Sequence, residues 1–267
     1  MIPYIVKETL LKVENVNLQY DNKQILRDVN FEIHDIVRPG MTQGQIVAII
    51  GKSGMGKTQL LKILAGLVNP NSGSVKIDTD LHQVKEGEVG IIFQNYMLFN
   101  HRTVYKNLEI GLNHSGKKLT GVEKKEIIQD YAQRFDLLTH LQKYPAQLSG
   151  GQRQRVSIIQ QVLTGNRFIL FDEPFSGLDV LMTDKIIELL IKVANSNELN
   201  TLIIVSHDIF NALAISDTAF ILAKENGKEG ATITEKIDLM KLGLAWEPNV
   251  KLNVEFHKLI TDIKYKI

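Results

Sequence analysis

The chain contains no cysteine among its 267 residues. Disulfides and thiolate chemistry are therefore excluded, and the composition is compatible with a reducing compartment. It also lacks a surplus of charge, with 31 Lys and Arg against 30 Asp and Glu, a net +1. Nucleic-acid binders depend on a basic excess, so no nucleic-acid partner is expected. Long apolar runs are missing too: none approaches the roughly 18–20 residues that span a bilayer. The opening Met1-Ile2-Pro3-Tyr4-Ile5-Val6 is interrupted at once by Lys7 and Glu8, unlike a secretory signal. Internal repeats and low-complexity segments are absent as well. What is present is an ordinary globular composition, 44% hydrophobic and 23% charged, in a length that suits one large α/β domain or two modest ones. Any membrane role is expected to come through a partner.

The most informative stretch is Gly51-Lys52-Ser53-Gly54-Met55-Gly56-Lys57-Thr58, placed directly after the apolar run Ile46–Ile50. Glycine, four residues, glycine, lysine and a hydroxyl residue is the phosphate-loop spacing. Gly51, Gly54 and Gly56 leave room for backbone N–H groups to wrap phosphates. Lys57 brings a point charge to the β and γ phosphates, and the Thr58 hydroxyl can ligate Mg²⁺. The following segment, from Gln59 to Ala65 and closed by Gly66, has helical spacing and points the positive end of its dipole at the same anion.

Elsewhere, residues 10–33 alternate polar and apolar side chains around a turn at Asp21-Asn22-Lys23, which predicts half-buried antiparallel strands. Residues 34–44 contain Pro39, Gly40 and Gly44 and are expected to form a loop. Short unbroken apolar runs at 46–50, 89–93, 168–171 and 202–205 suit strands buried on both faces of a mostly parallel sheet. Residues 94–163 show helical spacing at Glu123–Leu138 and Gln152–Leu163 and no convincing strand. The tail carries a further helical pattern with Phe256, Leu259, Ile260 and Ile263 on one face.

Three of the buried runs end in groups capable of chemistry: Ile46–Ile50 in Gly51, Phe168–Phe171 in Asp172-Glu173, and Leu202–Val205 in Ser206-His207. Ligands of open α/β sheets bind outside the carboxyl ends of the strands. Asp172 is placed to hold Mg²⁺ through a water, and Glu173 to polarise an attacking water. A solvated acidic loop is the plainer alternative for that pair, as a helix-start residue is for His207. On the same sheet edge, His207 is expected near the γ phosphate. A second anion-binding helix start occurs at Ser149-Gly150-Gly151-Gln152, before Val156, Ile159 and Val162. It serves either another phosphate or another molecule's nucleotide; the residues alone leave that choice open.

Together these motifs resemble the nucleotide-binding subunit of the ATP-binding cassette (ABC) family, over about residues 11–223. Gly51–Thr58, with Gln59 behind it, resembles the Walker A loop. Phe168–Asp172 resembles the Walker B strand, and Glu173 takes the position of the catalytic glutamate. Leu148–Gln152 matches the family signature, Gln94 the Q-loop, Ser176–Asp179 the D-loop and His207 the switch histidine. Tyr20 falls where the family keeps an aromatic that stacks on adenine.

The resemblance implies an α/β fold: a P-loop NTPase core with a mostly parallel sheet (1–93 and 164–223), an N-terminal antiparallel β subdomain and an inserted helical subdomain (94–163). A short C-terminal extension (224–267) follows, too brief for a separate regulatory barrel. It implies ATP and Mg²⁺ as cofactors, with Gln94 beside Thr58 and Asp172 at the metal and with Glu173, His207 and Gln94 in catalysis. It places Asp179 and the signature residues at a nucleotide, with Ser149 and Gly151 contacting the one held by a second copy or a homologous subunit. The implied partners are that second subunit, transmembrane permease subunits that dock near Gln94, Tyr96, Leu98 and Phe99, and a solute-binding protein. The implied location is peripheral, on the cytoplasmic face of a membrane. The alternatives are a soluble ABC ATPase outside transport and a non-hydrolysing scaffold; one cassette without a long heptad run, and intact Glu173 and His207, weigh against them. Glu173-Pro174-Phe175 and the short tail are similar to small-solute importers of the nitrate, sulfonate and taurine group. Two departures stand out: Thr58-Gln59 replaces the usual serine-threonine pair, and the 34–44 segment is long for the family.

Overall fold

A computed structural model of the chain describes residues 4–38 and 43–267. The strands are β1 (Ile5–Tyr20), β2 (Lys23–Val37), β3 (Gln45–Ile50), β4 (Ser72–Ile77), β5 (His82–Gln83), β6 (Val89–Ile92), β7 (Phe168–Asp172), β8 (Thr201–Ser206), β9 (Thr218–Lys224) and β10 (Ala231–Asp238). The helices are α1 (Lys57–Leu64), α2 (Val104–His114), α3 (Gly121–Arg134), α4 (Gly150–Val162), α5 (Val180–Ala194), α6 (Ile209–Ala214) and α7 (Val254–Lys266). The ten strands among the described residues join one sheet in the order β5-β4-β1-β2-β10-β9-β3-β8-β7-β6. From β9 to β6 every pairing is parallel, and the β5-β4-β1-β2 side is antiparallel. The expected α/β class is the one observed.

The unbroken apolar runs are explained by what lies on each face of the parallel half. In β3, Ile46, Ala48 and Ile50 pack into one core while Val47 and Ile49 pack into the other. The same alternation divides Ile169 and Phe171 from Phe168 and Leu170, and Leu202 and Ile204 from Ile203 and Val205. The first core is roofed by α2 to α7, the second by α1 and the antiparallel strands. Each such side chain contributes about 1.5–3 kcal/mol by leaving water, so no polar residue is tolerated until the strand ends.

β1 and β2 form a long hairpin closed by Asp21 and Asn22, both with positive φ (46° and 63°), the two-residue turn that matches strand twist. The expected loop over 34–44 is corrected at its start. Residues 34–37 continue β2, because β1 extends back to Ile5 and supplies pairing partners as far as Val37. Residues 39–42, including Pro39 and Gly40, lie outside the described residues. Between Ile92 and Phe168 the chain forms α2, α3, α4 and two short 3₁₀ turns, with no strand. Helix α2 escaped the sequence reading, and α3 stops at Arg134, short of the expected Leu138. The segment from 224 onward is not peripheral to the fold: β10 pairs with β9 and touches β2, and Phe256, Ile260 and Ile263 of α7 are buried in the first core.

At the edge of the sheet where β3 begins, Asp217 is fully buried and ion-paired with buried Arg38. Its carboxylate also accepts from the Ile46 amide (2.8 Å) and the Trp246 indole N–H (2.7 Å). This cluster ties β2, β3, β9 and the tail together. Arg38→Ala leaves a buried carboxylate without its counter-ion, so a loss of about 3–5 kcal/mol is expected; a denaturant titration with an unchanged midpoint would contradict the assignment.

Candidate functional site

The site is assembled by register. Ile50 of β3 pairs with Ser206 of β8, and Asp172 of β7 pairs with Val205, so three parallel strands end side by side. Beyond that line the chains remain coupled. The Gly51 amide donates to the Ser206 carbonyl (3.3 Å), and the Glu173 amide donates to the Val205 carbonyl (2.8 Å). Each strand thus brings the residues that follow its apolar run to one edge.

The glycines of the loop have different reasons to be glycine. A Cβ on Gly51 would lie 2.5 Å from the Leu222 carbonyl oxygen of β9. Gly54 and Gly56 adopt left-handed backbone, φ 82° and 84°, which costs other residues roughly 1–2 kcal/mol. Gly56 caps α1, and the first turn of that helix contains no acidic residue to occupy its positive end. Lys57 is buried, and its ammonium donates to the carbonyls of Gly51 (2.8 Å) and Lys52 (3.1 Å). Its third neighbour is Glu173 Oε1 at 3.2 Å.

Glu173 has φ 51°, a left-handed conformation rare for a side chain of this kind. Such strain persists only where surrounding contacts impose it, and here they do. Its Oε2 accepts from the Ser206 hydroxyl (3.1 Å), the His207 amide (3.1 Å) and His207 Nδ1 (2.8 Å). A carboxylate accepts, so Nδ1 carries the proton of this hydrogen bond. Asp208 caps α6 and receives the Asn211 amide (3.0 Å), while its own amide donates to the Ser206 hydroxyl (3.0 Å). Sequence reasoning places Ser206 among the strand-end groups capable of chemistry but gives it no role in the site. Its only signal was its place at the end of β8, one residue before His207.

Thr58 Oγ1 lies 3.3 Å from Asp172 Oδ1. One hydroxyl and one carboxylate are the hard oxygens that Mg²⁺ takes from a protein while keeping several waters, so the pair fits that ion. Burial raises the Asp172 carboxyl above its ordinary range; the Thr58 hydrogen bond pulls it down and the charge of Glu173 pushes it up. Tyr20, exposed at the end of β1, donates its hydroxyl to Gln59 Oε1 (3.3 Å) beside the loop. The loop geometry, the free helix start and Lys57 fit a bound nucleotide triphosphate.

The remaining sequence candidates lie elsewhere. Gln94 is exposed in the turn after β6 and makes no hydrogen bond to the cluster among the described residues. Asp179 caps α5, accepting the Met182 amide at 2.8 Å. Ser149 caps α4 in a reciprocal box with Gln152, with Gly150 and Gly151 forming the first turn. Ser149 and Gly151 line a cavity of about 450 Å³ against Met182 and Lys185 of α5, with no phosphate-loop residue in its wall. Within one chain the two helix starts therefore face different spaces.

This combination of a glycine loop between strand and helix, with carboxylates ending a parallel strand, defines a P-loop nucleotide-binding protein. The chain matches the ABC transporter family over residues 35–176 and belongs to it. Among its relatives are the sulfate/thiosulfate import ATP-binding protein CysA of Pectobacterium atrosepticum, 34% identical over 80% of this chain and 64% of the relative, and the thiamine import ATP-binding protein ThiQ of Yersinia pseudotuberculosis, 35% identical over 80% and 87%. The chain thus matches a little under two thirds of the length of that CysA. In structure it is similar to cbiO1 of Clostridium perfringens, TM-score 0.73 over 97% of this chain and 100% of the other at 23% identity, a likeness of fold alone. It is also similar to the dimeric ATP-binding cassette MJ0796 in a post-hydrolysis state bound to ADP and Pi, TM-score 0.68 over 86% and 99% at 26% identity.

The raised Asp172 carboxyl has a consequence for stability. A native pKa above the ordinary 3.8 means the folded state holds its proton more tightly, so the benefit is full below that value and is lost as pH rises through the native pKa. At neutral pH the buried charge is destabilising. Asp172→Asn keeps an acceptor for Thr58 and is expected to raise the thermal midpoint at pH 7–8, by an increment that shrinks on acidification toward pH 4. An equal increment at both pH values would contradict this account.

Proposed function

We propose that the chain is the ATP-binding and ATP-hydrolysing subunit of a membrane transporter, driving solute movement through separate transmembrane subunits. The observation that carries this reading is the convergence of Lys57, Thr58, Asp172, Glu173 and His207 at the ends of three parallel strands. In this reading Lys57 and the first turn of α1 hold the triphosphate, and Tyr20 stacks on the base. Thr58 and Asp172 hold Mg²⁺, which when bound supplies charge neutralisation on the phosphate oxygens. Glu173 takes the proton of the attacking water, and His207 orients Glu173 through the Nδ1 hydrogen bond while turning Nε2 toward the γ phosphate. Gln94 enters from the turn after β6.

Lys57 cannot serve a phosphate and Glu173 fully at once, so nucleotide has to loosen the 3.2 Å ion pair. Glu173→Gln weakens that competition. ATP affinity in this variant is therefore expected to hold or rise while turnover falls by about 10²–10⁴. Lys57→Ala is expected to lose ATP binding. Binding titrations and steady-state phosphate release measure both, and a Glu173→Gln protein with parental turnover would remove Glu173 from the chemistry.

The signature residues Ser149, Gly150, Gly151 and Gln152, with Asp179, are proposed to complete the site of a second copy or homologous subunit. Support comes from their separate cavity within one chain and from the dimeric cassette among the structural relatives. Mixing Lys57→Ala with Ser149→Arg subunits places both lesions in one composite site and none in the other, so part of the lost activity is expected to return. Loss of ATP affinity in isolated Ser149→Arg would instead put Ser149 in its own subunit's pocket. Permease subunits are proposed to dock in the open groove of about 650 Å³ lined by Leu67, Met97, Leu98, Phe99 and Ile110. With a permease, and a solute-binding protein for an importer, the subunit sits peripherally on the cytoplasmic face; no helix among the described residues is long and apolar enough to cross a membrane. The CysA and ThiQ likenesses favour import of a small solute.

A further inference from the structure

The tail beyond Val250 packs on the one helix that follows the switch histidine. Phe210, in the first turn of α6, meets the ring of Phe256 at 5.5 Å and that of His257 at 5.7 Å. The Lys251 ammonium stands 5.8 Å from the centre of the same Phe210 ring. Lys251 also forms an ion pair with Asp184 of α5 at 3.2 Å, and its carbonyl accepts from His257 Nε2 at 2.8 Å. Phe256 is fully buried, and the Asn253 side chain caps the helix that carries it. At its far end α7 is tied to β10 by Lys266 and Glu235. The tail is thus anchored at both ends, with its aromatic cluster bearing on Phe210.

Phe210 matters because of what precedes it. A single carboxylate oxygen of Glu173 takes all three of its donors from Ser206 and His207. The Asp208 cap joins those donors rigidly to the start of α6. Helix α6 is only six residues long, too short to hold its place without tertiary packing. A shift at Phe210 is therefore passed to His207, and through it to Glu173, whose left-handed backbone depends on those contacts.

We infer that the C-terminal segment from Val250 to Lys266 is a clamp that positions the His207–Glu173 pair through Phe210, with Phe210, Phe256 and Lys251 as positioning residues. The Lys251–Asp184 pair extends the clamp to α5, the helix capped by Asp179. This inference rests on the proposed roles of Glu173 and His207, and it assigns the tail a part in turnover that the motifs do not reveal.

The test uses the full chain with Phe210→Ala and, as a surface change that spares the core, Lys251→Ala. Amide hydrogen exchange needs no turnover: faster exchange over His207–Asn211 with Phe168–Asp172 unchanged is expected in both variants, and unchanged exchange over His207–Asn211 would overturn the clamp. ATP turnover by Phe210→Ala is expected to fall about tenfold, as for a small misplacement of a reacting group, with the KM for ATP within about twofold. Lys228→Ala, an exposed lysine paired with Glu225 in the turn between β9 and β10 and outside the clamp, is expected to leave turnover as it was. The deciding measurement is a double-mutant cycle. Phe210 acting through His207 predicts that Phe210→Ala adds no further loss to His207→Ala, whereas additive losses would show a merely structural role and overturn the inference. A parent protein without ATP hydrolysis would strike the proposed function alone, while the exchange measurement would still decide the clamp.

Discussion

The in-register parallel pairing of β3, β8 and β7 is the constraint on which the rest of the molecule depends. These strands are buried on both faces, so along their length only apolar residues are stable. Polar groups are confined to the ends, and register makes the ends coincide. Lys57, Thr58, Asp172, Glu173 and His207 meet because the three strands stop together, although more than a hundred residues separate the first pair from the second. The long excursion through α2, α3 and α4 leaves the sheet after β6 and returns at β7, and its helices roof one core without altering the register.

At this edge, competing demands are left in tension. Lys57 is buried but bonded to carbonyls and to Glu173, all partners that a phosphate can displace. Asp172 is held in a setting that disfavours its charge. Glu173 occupies a left-handed backbone conformation maintained by hydrogen bonds from Ser206 and His207. The buried Asp172 charge and the left-handed Glu173 backbone each cost stability in the isolated fold, the pattern expected where function departs from local optimum.

At the opposite edge burial pushes the Asp217 carboxyl up to about 6 as well, but there protein partners surround it. Arg38, Asp217 and Trp246 satisfy one another among buried neighbours, and the Asp217 main chain is bonded to Ile46 and Leu239 as well. This joins the tail to the start of the sheet, so that β10 and α7 are built into the cores and not appended to them. A tail so anchored can bear on α6, and hence on the neighbourhood of His207.

Residue types at close spacing were enough to determine much of the chemistry. The phosphate loop, the Asp172-Glu173 pair and the Ser149 cap are local features, since loop, strand end and helix start are each specified within a few residues. Unbroken apolar runs likewise disclosed β3, β6, β7 and β8, because burial on both faces leaves a compositional mark. Weaker marks were passed over. β9 opens with Thr218 and Ala219, and β4 with Ser72, Gly73 and Ser74, so neither reads as a strand without its neighbours. Residues 34–37 looked like loop because only the pairing offered by the start of β1 makes them strand. Tertiary structure alone decided that Ser206 and His207 would hold Glu173, that Lys57 would face it, that the signature helix would open onto a different cavity, and that the tail would pack on Phe210. Those are contacts between segments distant in the chain, and their geometry follows from sheet order and register, which no local pattern encodes.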